Sequence, residues 1–190
     1  MNLKQALLNF ESIDRFENQD KQVMLHYLDV FDDLYERRNE IAHITSSAWI
    51  LNKTGDKVLM IYHNIYDSWG WVGGHADGDH DLAYVALKEA KEETGLTSLT
   101  QVGDGFIAVD ILPVWHHLKR GEVINSHLHM NVTYLFIGDE QQSIRIKPDE
   151  NSGVKWIDVK AIDEFVSEAS MLPIYHKLMG KSLSILGGLQ

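Results

Sequence analysis

The chain has 190 residues, 44 % of them hydrophobic and 24 % charged, which suits one packed domain with some decoration and excludes wholesale disorder. Its formal net charge of −11 argues against general nucleic-acid binding, and any small polyanionic substrate would need positive charge supplied locally. There is no cysteine, so disulfides, thiolate zinc sites and a cysteine nucleophile are excluded. The start MNLKQALLNFES is too polar for a signal peptide, and no run approaches the ~20 apolar residues of a membrane span, so the expectation is a soluble cytoplasmic protein.

Met24, Tyr27, Leu28, Phe31, Leu34 and Tyr35 recur at helical spacing, and residues 1–40 read as a helical extension ahead of a main domain at 41–190. From His43 the period becomes that of strands. HITSSAWILN and KVLMIYHN form a hairpin about the turn KTGD. SWGWVGG is a short strand entering a glycine loop, and a helix follows over about 81–94. LTQVGDGFIAVDILPVW, HLHMNVTYLFIG and GVKWI supply further strands. Asp158 can cap a helix in which Val159, Ile162, Phe165 and Val166 share a face, and a last helix runs from about Ile174 to Leu186. Helices and strands are mixed, and several strands are separated by turns alone. The fold class is therefore α/β (α+β), with helices packed on a mixed sheet and not a doubly wound parallel one.

The helix near residue 90 carries the unusual feature. At about 100° per residue, Glu93 lies about +40° and Glu92 about −60° from Glu89, on the arc that also holds Leu82, Val85 and Ala86. The glutamates thus continue the apolar stripe, away from Lys91. An amphipathic helix normally keeps its carboxylates wet, and a solvated acidic end is the simple alternative if the last turns leave the core. Otherwise three like charges point inward. Burying them unpaired is costly, and Lys88 and Lys91 project elsewhere. A divalent cation such as Mg²⁺ or Mn²⁺, which takes oxygen ligands and leaves room for substrate phosphates, holds such a trio compactly. Gly70, Gly73, Gly74 and Gly78 let the preceding loop approach a ligand closely, and Gly95 suits a left-handed helix stop.

The stretch GGHADGDHDLAYVALKEAKEETGL, residues 73–96, resembles the signature of the Nudix (MutT-like) hydrolases, GX5EX7REUXEEXGU with U a bulky apolar residue. Gly74, Glu89, Glu92, Glu93, Gly95 and Leu96 stand at matching positions, while His80 and Lys88 replace the first glutamate and the arginine and Ala90 is small for its slot. The resemblance implies an α/β/α sandwich and Mg²⁺- or Mn²⁺-dependent hydrolysis of a nucleoside diphosphate linked to another group, by water attack on phosphorus. It implies Glu89, Glu92, Glu93 and the backbone carbonyl of Gly73 as metal ligands. Glu150, six residues before Trp156, would be a further one. Glu92, Glu93 and Glu150 are the candidate catalytic groups, with Glu93 or Glu150 accepting the proton of the attacking water. In the family the first glutamate and the arginine commonly pair loop to helix. Here Asp79 or Asp81 stands as the substitute partner of Lys88.

Other constellations are weaker. DGDHD copies the start of a calcium loop, but Leu82 and Lys88 occupy its required glycine and glutamate positions, and an EF-hand is rejected. Asp79 and Asp81 more simply favour the positive end of the helix. His127 and His129 share a strand face, preceded by His116 and His117 in a loop. They read as packing histidines, as a zinc site short of a clear third ligand, or as groups reaching substrate phosphates. Tyr66, Trp69 and Trp71 flank the glycine loop, as core or as a stacking surface for a base. The P-loop and G-x-S-x-G motifs are missing. The expected partner is a small diphosphate compound, nucleotide-derived, with neither nucleic acid nor membrane. The N-terminal helices stand open as a homodimer contact or as a cover over the site. Two competing readings are a non-catalytic ligand-sensing module with a weakened motif, and the isopentenyl-diphosphate isomerase branch, which relies on a cysteine this chain lacks.

Overall fold

Strand β1 (Ala42–Asn52) is buried at every one of its 11 residues. A strand achieves this only when both faces of its sheet are covered. The computed structural model, which describes residues 1–12, 14–119 and 121–188, shows how the chain does so. β1 turns back into β2 (Lys57–His63), antiparallel to it. The turn is held by Asn52, whose side-chain oxygen accepts the N–H groups of Asp56 and Lys57 at 3.1 Å each. On its other edge β1 runs parallel to β9 (His127–Gly138), in register from Ala42↔Leu128 to Asn52↔Gly138. β3 (Ser68–Gly70) pairs with β2, β4 (Val72–His75) with β1, and β10 (Asn151–Asp158) lies outside β2. β5 (Leu99–Gln101) and β6 (Ala108–Val114) lie along the far edge of β9. A separate hairpin joins β7 (His117–Lys119) to β8 (Glu122–Ile124).

Side-chain alternation then sorts the core into two layers. Ile44, Ala48 and Ile50 of β1 and Met130, Val132 and Phe136 of β9 pack with Ala86 and Ala90 of α3 (Leu82–Thr94). Leu7 of α1 (Leu3–Asn9) and Met24 of α2 (Arg15–Val30) belong to that same cluster. On the opposite face Trp49, Leu51, Met60 and Leu135 pack with Ile162 of α4 (Ile162–Phe165) and with Tyr175 and Leu178 of α5 (Leu172–Gly187). The result is an α/β/α sandwich on a mixed sheet. Among the described residues no helix is long and apolar enough to cross a membrane.

Several elements depart from the sequence expectation. α2 stops at Val30, because Phe31 turns extended (φ −116, ψ 128). Leu34 and Tyr35 nevertheless continue to pack on the first core layer from irregular backbone. SWGWVGG is two strands, since the chain steps at Trp71 from pairing with β2 to pairing with β1. LTQVGDGFIAVDILPVW is likewise broken, at the turn containing Gly103 in the left-handed region (φ 78). His117 lies in β7, not in a loop. Asp158 does cap a turn, a 3-10 turn at Val159–Ala161 that leads into α4.

β6 is an edge strand, and an edge presents unpaired N–H groups. α2 satisfies two of them. Val109 N–H donates to Glu17 Oε1 at 3.2 Å and Ile111 N–H to Asp20 Oδ2 at 3.0 Å. From α5, Lys181 donates to both Glu17 oxygens at 2.6 Å and to the Ile107 carbonyl at 2.9 Å, and Lys177 pairs with Asp110 at 2.5 Å. Burial pushes the fully enclosed Glu17 carboxyl up, but the hydrogen bonds from Lys181 and Ser12 and the charge of Lys177 outweigh it and hold it below its usual 4.5. A native pKa below the unfolded one stabilises above the unfolded value and is lost as pH falls through the native one. Glu17→Ala should therefore cost about 3–5 kcal/mol at neutral pH, the cost of breaking a buried pair. In urea unfolding the difference from wild type should shrink below the usual carboxylate range.

Candidate active site

The β4–α3 loop and the last turn of α3 build the site. Ser46 Oγ donates to the Leu82 carbonyl at 2.6 Å, fixing the helix start on β1, and Asp81 caps it by accepting the Tyr84 N–H at 3.0 Å. Gly95 ends the helix in the left-handed region (φ 77), where a Cβ would also sit 2.4 Å from Arg145 Cγ. The following segment is tied to this end: Arg145 N–H donates to the Thr94 carbonyl at 2.8 Å and the Asn151 side-chain amide to the Glu93 carbonyl at 3.0 Å. That attachment delivers Glu150. Glu89, Glu93 and Glu150 each offer an oxygen within 4.8 Å of the others. The backbone passes close beneath them, and a Cβ on Gly74 would lie 2.6 Å from the Glu89 carboxyl carbon and displace that side chain. A Cβ on Gly73 would meet Ser47 Oγ at 2.5 Å.

Glu92 does not join this cluster. It lies at the wet edge of the arc, 3.4 Å from Lys147 Nζ and 4.0 Å from Lys88 Nζ. Lys147 also pairs with Glu150 at 2.9 Å, so a lysine outside α3 bridges two of the acids. Lys88 reaches Glu92, and not Asp79 or Asp81: Asp81 is the helix cap, and Asp79 accepts the Asp81 N–H at 2.8 Å. The loop is held instead from the N-terminal segment. Arg37 forms a two-bond ion pair with Asp77, its Nε 2.5 Å from Oδ1, and the His80 ring lies over Tyr35 with centroids 3.9 Å apart. Gly78 N–H donates to the Tyr35 carbonyl at 2.8 Å.

Gly73, Gly74 and Glu93 line a cleft of about 640 Å³, and Tyr66, Trp69 and Trp71 stand in its walls. Trp69 meets Tyr62 and Phe165 edge-on, and Trp71 meets Tyr175. Arg37 is also at the cleft. Beneath, Asn131 accepts Thr45 Oγ1 at 3.0 Å and Ser47 Oγ at 2.8 Å and donates to Thr133 Oγ1 at 3.1 Å. His127 and His129 face the cleft together with His43 and His75. The shortage of a third histidine expected from the sequence is thus corrected, because the sheet register adds two from other strands. Burial, then the neighbouring rings of His75, His43 and His127, bring the pKa of His129 down to about 2 and keep it neutral.

A family model for the NUDIX domain matches residues 41–178. The chain belongs to the NUDIX family. NUDIX proteins act on pyrophosphate bonds, and this chain is a hydrolase of that kind. Among solved structures it is similar to a C. elegans Ap4A hydrolase in binary complex, with a TM-score of 0.55 and 19% identity over 76% of this chain and 98% of that one. A NUDIX family hydrolase from Clostridium perfringens gives 0.52 and 21% over 73% and 96%. The E. coli dihydroneopterin triphosphate pyrophosphohydrolase gives 0.52 and 16% over 72% and 94%. At these identities the likeness is one of fold. No curated protein sequence matches the chain.

In this NUDIX site the acids cannot all ionise unaided. Glu93, 4 % exposed, is pushed up to about 9 by burial first and then by the charges of Glu89 and Glu150, against a partial offset from Lys147. Burial and Glu92 also raise Glu89. A convergent set of carboxylate oxygens with this excess of negative charge fits a hard divalent cation. The sign of the Glu93 shift yields a test. Between its usual 4.5 and about 9 the folded chain keeps a proton that the unfolded chain releases, so the metal-free protein should lose stability as pH rises through that window. Glu93→Gln should flatten this slope in denaturation curves recorded across it.

Proposed function

We propose that the cleft hydrolyses the diphosphate bond of a nucleoside diphosphate linked to another group, with Mg²⁺ or Mn²⁺ held by Glu89, Glu93, Glu150 and the Gly73 carbonyl. The observation that carries this is the convergence of three carboxylates, two from α3 and one from the turn before β10, beside Gly74, with the most buried of them unable to ionise alone. When bound, the cation supplies the positive charge that keeps these acids ionised and offsets the phosphate oxygens.

The chain's own groups supply the rest. Glu93 is a proton acceptor only when positive charge lies beside it, and in that state it takes the proton of the attacking water. Glu150, closer to solvent and paired with Lys147, is the alternative acceptor. Glu92 serves as a fourth carboxylate at the rim, sharing Lys147 with Glu150. Arg37 and Lys147 bring local positive charge to a protein whose net charge of −11 would otherwise repel a polyanion. Trp69 and Trp71 offer apolar faces to the organic part of the substrate, which favours a base or similar flat group. The solved structures named above include an Ap4A hydrolase and a dihydroneopterin triphosphate pyrophosphohydrolase, in keeping with this reading.

Assays of phosphate and nucleotide release over a panel of nucleoside triphosphates, dinucleotides, nucleotide sugars and non-nucleotide diphosphates, with and without Mg²⁺ or Mn²⁺, test the proposal. Cation-dependent release is expected from at least one class. Glu93→Gln and Glu89→Gln should each lower it by about 100-fold or more, with the circular dichroism spectrum unchanged, and Glu92→Gln should lower it less. Release that ignores both the cation and these substitutions would defeat the assignment. No release from any class would favour the ligand-sensing alternative.

A further inference from the structure

We propose that His43, His75, His127 and His129 form a second metal centre in the same cleft, taking a borderline transition ion of the Zn²⁺ type and independent of the carboxylates. The sheet builds it. The parallel register of β1 and β9 sets His43 opposite His129, the period of two puts His127 on the same face, and β4 sets His75 opposite Thr45, one step along. One ring nitrogen from each of the four histidines lies within 4.8 Å of the other three. His129 Nε2 is 3.2 Å from His75 Nε2 and 3.1 Å from His127 Nε2. Those separations are close to the ~3.3 Å edge of a tetrahedron with metal–nitrogen bonds of about 2.0–2.1 Å.

The proton count points the same way. His43 Nδ1 lies 3.1 Å from the Asn39 carbonyl and His127 Nδ1 lies 2.8 Å from the Asn125 carbonyl. A carbonyl only accepts, so on these contacts each ring donates from Nδ1, the arrangement in which protein carbonyls orient metal-binding imidazoles, and His127 presents its Nε2 to His129. His43 is 5 % exposed and its Nε2 has no partner. His129 Nε2 has at most one proton to give, and two imidazole nitrogens face it. That crowding of ring nitrogens around His129 Nε2 is one that a cation placed between them satisfies. An all-imidazole set suits Zn²⁺, Ni²⁺ or Cu²⁺ and not Mg²⁺, so the two centres select different ions. They also adjoin, because Gly74 beneath Glu89 and His75 are consecutive residues of β4.

Titrating the metal-free, full-length protein with Zn²⁺ by calorimetry, and with Co²⁺ by visible absorption, tests the centre. One equivalent should bind with a tetrahedral Co²⁺ band, persist in excess Mg²⁺, and survive the double change Glu89→Gln with Glu93→Gln. His43→Ala and His129→Ala should each weaken binding by more than the ~10–100-fold typical of changes behind a ligand. His127→Asn, at the first residue of β9, gives a milder variant whose folding can be checked by circular dichroism. Wild-type protein that takes up no Zn²⁺, or uptake lost in the glutamate variant and kept in the histidine variants, would overturn the proposal. Neither result would touch the carboxylate assignment, which is read on other residues.

Discussion

Because β1 and β9 lie parallel and in register over their length, one face of the sheet becomes continuous apolar packing at one end and continuous polar lining at the other. Trp49 opposite Leu135 belongs to the core under α5, whereas Ser47 opposite Thr133, Thr45 opposite Asn131 and His43 opposite His129 floor the cleft. A slip of one residue would exchange the two faces and bury the histidines against α3. The helix that carries Glu89 and Glu93 depends on the same pairing. α3 is anchored to β1 through Ser46, and β4, which carries Gly73 and Gly74, is hydrogen-bonded to β1 along Thr45–Ala48. The carboxylates, the glycine pair and the imidazoles are thus all positioned from one strand.

Where the family commonly pairs the glutamate and arginine of its signature, this chain has His80 and Lys88 and uses a different fastening. The loop before α3 is gripped from outside by residues 35–37, through the Arg37–Asp77 ion pair and the Tyr35–His80 ring contact. Asp77 sits in the left-handed region (φ 48), a conformation that Asp tolerates better than most residues, and Arg37 holds it there. Lys88 is left to pair along its own helix. The segment ahead of the sheet therefore takes over part of the work of the signature, so its two departures do not leave the glutamates unsupported.

The helical arc made Glu89 and Glu93 legible in the sequence, because periodicity alone sets which residues share a face. It could not separate Glu92 from them. The difference of about 60° becomes a difference between cleft and water only when Lys147 arrives from a loop whose path no local pattern encodes. The family resemblance put Glu150 forward, and the fold sets it beside Glu89 and Glu93, since Asn151 fastens β10 to the end of α3. The histidine quartet was half visible. His127 and His129 alternate within one strand, but His43 and His75 meet them through strand register, a long-range property. Short strands such as β3 and β7 were blurred into their neighbours because three residues carry no period.

The carboxylates of Glu17 and Asp20 occupy the outer hydrogen-bonding row of β6, and two lysines of α5 close over them. The sheet is thereby finished on that side by side chains instead of by another strand. A second molecule cannot extend the ladder there by zipping on, whatever else the protein assembles with. Shortened forms lacking α2 would present raw β-edge to their neighbours, a sticky surface of the kind that seeds self-association.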